Sequence, residues 1–147
     1  MKIINLNKQD LLELIQNKKQ VMSGTNKIEQ FLHENLTWKR LLDFFIQENS
    51  FLKTRLSEVV DKQTNEGFIV QAEHFQNEFI LKDEYIRDIA KDIKEQEKNL
   101  QLGLVQQKTP DYKTCKKQDK LRNEISYLEK EFSILKNQFN KYLLTIF

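Results

Sequence analysis

The chain predicts an all-α fold: an antiparallel bundle of three long helices, with a shorter N-terminal helix laid along or across them. Three observations lead there. Apolar side chains recur every seven residues in three separate stretches. Phe31, Trp38, Phe45, Leu52 and Val59 form one stripe; Ala72, Phe79, Ile86, Ile93 and Leu100 form another. In the last stretch Leu121, Leu128, Leu135 and Tyr142 run beside Ile125, Phe132, Phe139 and Ile146. Such a stripe stays in line only on a helix that packs lengthwise along another. Second, three Gly and one Pro in 147 residues are too few turn residues for an all-β or doubly wound fold. Third, 31% charged residues against 39% hydrophobic ones supply the solvated faces that long amphipathic helices need.

The first element is expected over residues 8–22, where Leu11, Leu12, Ile15 and Met22 share one side and Lys18, Lys19 and Gln20 turn to water. Ser23-Gly24-Thr25-Asn26 reads as an end and a new beginning, because Gly24 suits a left-handed C-cap and Asn26 with Glu29 makes a capping box. A long helix over 27–63 follows, with a companion stripe of Ile28, Asn35, Leu42, Asn49 and Leu56. The two asparagines either fix register through hydrogen bonds or lie at the seam's wet margin.

Thr64-Asn65-Glu66-Gly67 breaks the pattern so briefly that the next helix must double back. That helix is expected over 68–102, adding Ile69, Phe75, Ile80 and Ile89 to its main stripe. Gly103 ends it, and Thr109-Pro110 fits a cap followed by proline at the first helical position. The last helix is expected over 111–146. Residues 64–109 hold six basic and nine acidic side chains and residues 110–147 eight and five, so a hairpin brings Glu95 and Glu97 near Lys116, Lys117 and Lys120. The length suits one domain over residues 1–147.

Composition excludes several function classes. With 24 basic and 22 acidic residues the net charge is +2, too close to balance to point to nucleic acid or an acidic substrate. Cys115 is the one cysteine and cannot close an intrachain disulfide, which fits a reducing compartment. The first residues become charged before a signal-like apolar run accumulates, and no segment approaches a membrane span. A soluble cytoplasmic protein with no membrane partner is the expectation.

No motif names a reaction, and neither a catalytic residue nor a cofactor is predicted. A carboxylate–histidine metal centre is the sharpest enzymatic alternative, of the kind helical bundles use for redox or storage. Its candidates are His33 with Glu29 and His74 with Glu78, yet Glu-x-x-His spacing is absent and the two histidines fall far apart along the helices. Cys115 has local positive charge from Lys113, Lys116 and Lys117 but no histidine nearby to act as base. The strip Lys108, Lys113, Lys116, Lys117, Lys120 and Arg122, with Tyr112, is the basis for a weaker nucleic-acid alternative. Asp111, Asp119 and Glu124 interrupt it, and no aromatic series suits base stacking.

Two stretches resemble small bacterial helical proteins to which no activity is assigned: His33 to Leu42 continuing through Glu48 to Ser57, and His74 to Ile80. The resemblance covers about the middle half of the chain. It implies a bacterial helical protein and transfers no site residue. The functional expectation is a non-enzymatic interaction or scaffolding protein that presents helix faces to protein, itself or another, possible homodimerisation included. Phe44 and Phe51 lie off the main stripe and, with Leu32, Leu41 and Ile46, widen the apolar face beyond what one neighbouring helix covers. Leu11, Leu12, Ile15, Phe44 and Phe51 are therefore the candidate interaction face, to be covered by the N-terminal helix or by a partner.

Overall fold

A computed structural model describes residues 7–63 and 65–146, with the side chains of residues 14–25 outside the description. Three helices carry the described chain: α1 (Lys8–Val60), α2 (Glu66–Val105) and α3 (Tyr112–Leu144). No strand occurs among the described residues. The all-α bundle expected from the stripes is the fold.

Helix boundaries follow local chemistry. Asn7 caps α1 by accepting from the Asp10 N–H, Asn65 caps α2 by accepting from Gly67, and Asp111 caps α3 by accepting from Thr114. The cap of α3 is therefore Asp111 with Pro110 just outside it, two residues beyond the expected Thr109 cap. α2 likewise does not stop at Gly103. It continues to Val105, and the left-handed residue after it is Gln107 at φ 55°, where the Lys108 N–H reaches back to the Gly103 carbonyl at 2.9 Å.

Gly103 has a different use. A Cβ built there would lie 3.1 Å from Cδ1 of Ile28, so the missing side chain lets α1 and α2 approach closely.

The break expected at Ser23–Asn26 is also a departure. The N-terminal segment is helical, but it continues into the first long helix as one 53-residue element. Once a helix is propagating, one glycine costs only about 1 kcal/mol, which does not by itself halt it. Because Ile28 sits beside Gly103 near the end of α2, the part of α1 before it extends about 30 Å from the level of Gly103 at 1.5 Å per residue, in the direction in which α2 ends. Leu11 and Leu12, on that extension, are exposed.

Ion pairs fix the directions. Lys39 with Glu97 and Lys53 with Asp83 run in opposite order on α1 and α2, so those helices are antiparallel. Glu34 with Arg122 and Glu48 with Lys136 run in the same order, so α1 and α3 are parallel. The seven-residue stripes line the core on all three helices. Phe79, Ile86, Ile93, Leu128 and Phe139 are completely buried, and Phe79 and Phe139 meet edge to face with centroids 5.2 Å apart. Tyr142 stacks on Phe68 and donates its hydroxyl to the Phe68 carbonyl. On α2 the second stripe passes through Phe68, Phe75, Ile89 and Gln96. Ile69 and Ile80, expected beside the core, are instead exposed along the outer α1–α2 groove.

Candidate functional site

Among the described residues, four polar side chains have no exposed surface: Asn35, Asn49, Gln96 and Gln118. Three of them make one layer, with one carboxamide from each helix. Gln118 of α3 is the hub. Its Nε2 donates to Asn35 Oδ1 and Glu34 Oε1, each at 2.8 Å, while its own Oε1 accepts from Gln96 Nε2 at 3.1 Å. Gln96 Nε2 also donates to the Thr114 carbonyl at 2.9 Å. Arg122 clamps Glu34 through two bonds, Nε at 2.8 Å and Nη2 at 2.7 Å, and holds Asp119 with Nη1. This layer separates the main core from a smaller cluster of Ile28, Phe31 and Leu100 at the end of the bundle.

Asn49 makes a second polar point. Its Nδ2 donates to the Phe79 carbonyl and to Asp83, each at 2.8 Å, and Asp83 also pairs with Lys53. Both seam asparagines are thus buried and hydrogen-bonded across helices, and the wet-margin alternative is set aside. A buried amide loses its partners if a helix slides, so these contacts hold register.

Among the described residues no group of three or more His, Cys, Asp or Glu is arranged to hold a metal ion. His33 and Glu29 are both exposed on α1; His74 is exposed with its ring against Phe75, and Glu78 is half-buried beyond it. By the α1–α2 register the two histidines lie about 40 Å apart at 1.5 Å per residue, so the structure does not bring these candidates together. Cys115 packs against the Ile28–Phe31–Leu100 cluster and its thiol faces the Pro110 carbonyl at 3.9 Å. Burial pushes Tyr85 and Tyr142 above the ordinary phenol range, with the Glu124 charge and Tyr127 adding to the rise at Tyr85; neither is thereby activated as a base.

The basic strip is largely engaged. Arg122 is held by Glu34 and Asp119, Lys117 reaches Glu95 at 3.5 Å, Lys120 reaches Glu124 at 3.8 Å, and Lys116 lies over the Tyr112 ring at 4.8 Å. Glu97, expected opposite this strip, turns to Lys39 of α1 instead.

The expected interaction face divides in two. Leu32 and Leu41 pack against the interior. Phe44 and Phe51, two turns apart on α1, keep 54% and 65% of their surface exposed. Ile15 lies outside the described side chains. The N-terminal segment does not fold over the two rings, because it continues α1 in the direction away from them.

The polar layer was legible only in part. Gln96 lies seven residues after Ile89, and Gln118 seven before Ile125, so each continues a core stripe with a polar residue. Extending the stripes past their apolar members finds both.

Comparison of the chain with family models, curated proteins and solved structures yields no match. No helix among the described residues is long and apolar enough to cross a membrane.

Proposed function

We propose that this protein is a non-enzymatic interaction or scaffolding protein that pairs, as a coiled-coil-like rod, with a second copy of itself through the outer face of α1. One observation carries the reading: Phe44 and Phe51 stand exposed one heptad apart on a helix whose inner face is already satisfied by α2 and α3. Large aromatic rings so spaced fit a lengthwise helix contact, and burying each contributes about 1.5–3 kcal/mol. The interior polar groups support the same reading, since they are tied to one another and to backbone rather than aimed at a reactive point. A cytoplasmic setting goes with the free Cys115 and the near-neutral charge, and a bacterial source with the resemblance of the middle of the chain.

Light scattering on the purified protein and on the Phe44→Lys/Phe51→Lys variant tests it. The parent is expected at twice 17.7 kDa and the variant at 17.7 kDa, with the helical circular dichroism of both alike. A parent that stays monomeric at millimolar concentration removes self-pairing. A variant that loses stability without changing mass assigns the two rings to the monomer.

A further inference from the structure

The outer face of α1 has a direction. On the stripe that carries Phe44 and Phe51, the intervening and flanking positions are Arg40, Gln47, Thr54 and Glu58, all exposed. Over about five turns the stripe therefore runs from a cation to an anion, with the two rings between them. Arg40 forms no ion pair among the described residues, and Glu58 has a 3.6 Å contact with Arg55 of its own helix. Seven-residue steps back from Phe44 meet Thr37 and Gln30, then Ser23 and Gln16 in the sequence. The apolar part of this face is thus confined to the middle of α1, and the sequence does not carry it into the N-terminal extension.

Two copies laid parallel would place each residue beside its own counterpart. Arg40 would then face Arg40, Glu58 would face Glu58, and Asp43 would flank the partner's Glu48, so like charges would meet along the contact. Turning one copy end for end about the level of Asn49 reverses this. Arg40 then lies opposite the partner's Glu58, Phe44 opposite the partner's Thr54, and Phe51 opposite the partner's Gln47. A two-fold contact makes each pairing twice, so an Arg40–Glu58 cross pair closes both ends of the seam. Glu48 and its counterpart come nearest the axis, and each is already held by Lys136 of its own chain.

We propose, resting on the self-pairing of α1, that two copies associate antiparallel along residues 40–58 and so form a two-ended spacer. Each N-terminal extension points away from the other, with Leu11 and Leu12 exposed near its tip. At 1.5 Å per residue the two Lys8 positions are about 120 Å apart, whereas a parallel pair would hold both tips side by side.

Sedimentation equilibrium at low salt on the parent, Arg40→Glu, Glu58→Arg and the double reversal tests the direction. In the antiparallel pair each single reversal opposes like charges at both ends and should raise the dimer dissociation constant about tenfold, while the double reversal should return it to within about threefold of the parent. In a parallel pair no reversal changes whether facing charges are alike. The substituted side chains are exposed, and helical circular dichroism should be the same for all four proteins. A second measurement is oxidation of Arg40→Cys/Glu58→Cys/Cys115→Ser followed by peptide mapping. Residues 40 and 58 of one chain are about 27 Å apart on α1, so a 40–58 disulfide can form only between chains, and it is the expected product. A dimer indifferent to both single reversals, a double reversal as weak as the singles, or disulfides joining 40 to 40 and 58 to 58 overturns the antiparallel direction and leaves self-pairing standing. A parent that stays monomeric overturns both.

Discussion

Replacing Gln118 with Leu should be far more damaging than its conservative size change implies. The side chain is completely buried and, among the described residues, is the one hydrogen-bond partner of the Asn35 side chain, whose Oδ1 it meets at 2.8 Å and whose Nδ2 already lacks an acceptor. Gln118→Leu therefore leaves Asn35 with neither end paired, and takes one of the two acceptors from Gln96 Nε2. Each buried group left unsatisfied costs about 1–3 kcal/mol, so after the modest gain of an apolar side chain the loss should be about 2–4 kcal/mol. For a chain of this size that lowers the midpoint of thermal unfolding by about 5–15 °C. Replacing Asn35, Gln96 and Gln118 together by Leu removes all three carboxamides at once. The triple variant should return to within about 1 kcal/mol of the parent, because matched apolar groups do not incur the desolvation penalty. Urea unfolding of the three single variants and the triple, read as a mutant cycle, measures this coupling. A Gln118→Leu variant within about 0.5 kcal/mol of the parent, or a triple variant whose loss equals the sum of the singles, would refute the reasoning.

Two further perturbations test the core and a helix cap. Phe79→Ala, which empties the centre of the Phe75–Phe79–Phe139 cluster, should cost about 3–5 kcal/mol by urea unfolding, whereas Tyr127→Ala, on the exposed side of α3, should change stability by less than about 0.5 kcal/mol. At the start of α3, hydrogen bonding from Thr114, aided by the nearby Lys113 charge, holds the Asp111 carboxyl below its usual pKa. A depressed folded-state pKa contributes stability that is present above the ordinary aspartate range and is lost as pH falls through the lowered value. Asp111→Asn should therefore abolish that acid-side component while keeping a neutral cap; an unchanged acid limb in pH-dependent melting curves would count against the cap.

How much could be read in advance varied with the kind of residue. Phe31 through Val59 and Ala72 through Leu100 announce core stripes because burial of apolar area is non-directional and needs only the right period. Gln96 and Gln118 occupy the same periodic positions but carry no hydrophobic signal, and their roles depend on partners more than twenty residues or a whole helix away. Ser23–Asn26 shows the opposite failure. Turn-forming residues supply a local opportunity to stop, yet whether a helix stops is a cooperative outcome. At the α2–α3 turn, Gly103 has the residue type of a C-cap but serves the close approach of Ile28, a choice that only packing between two helices can make.

Sequence alone determined that this chain is helical, where its hairpin turns fall, and that its apolar residues line three mutually packed rods, since each follows from local propensity and period. Tertiary structure decided the rest: which polar residues are locked inside, that Glu97 pairs with Lys39 rather than with α3, and that Phe44 and Phe51 stay uncovered by the chain itself. The difference is physical. A seven-residue repeat states which side of a helix is to be buried, while the register between helices, and hence every specific contact, is set by the directional fit of hydrogen bonds and ion pairs once those sides have met.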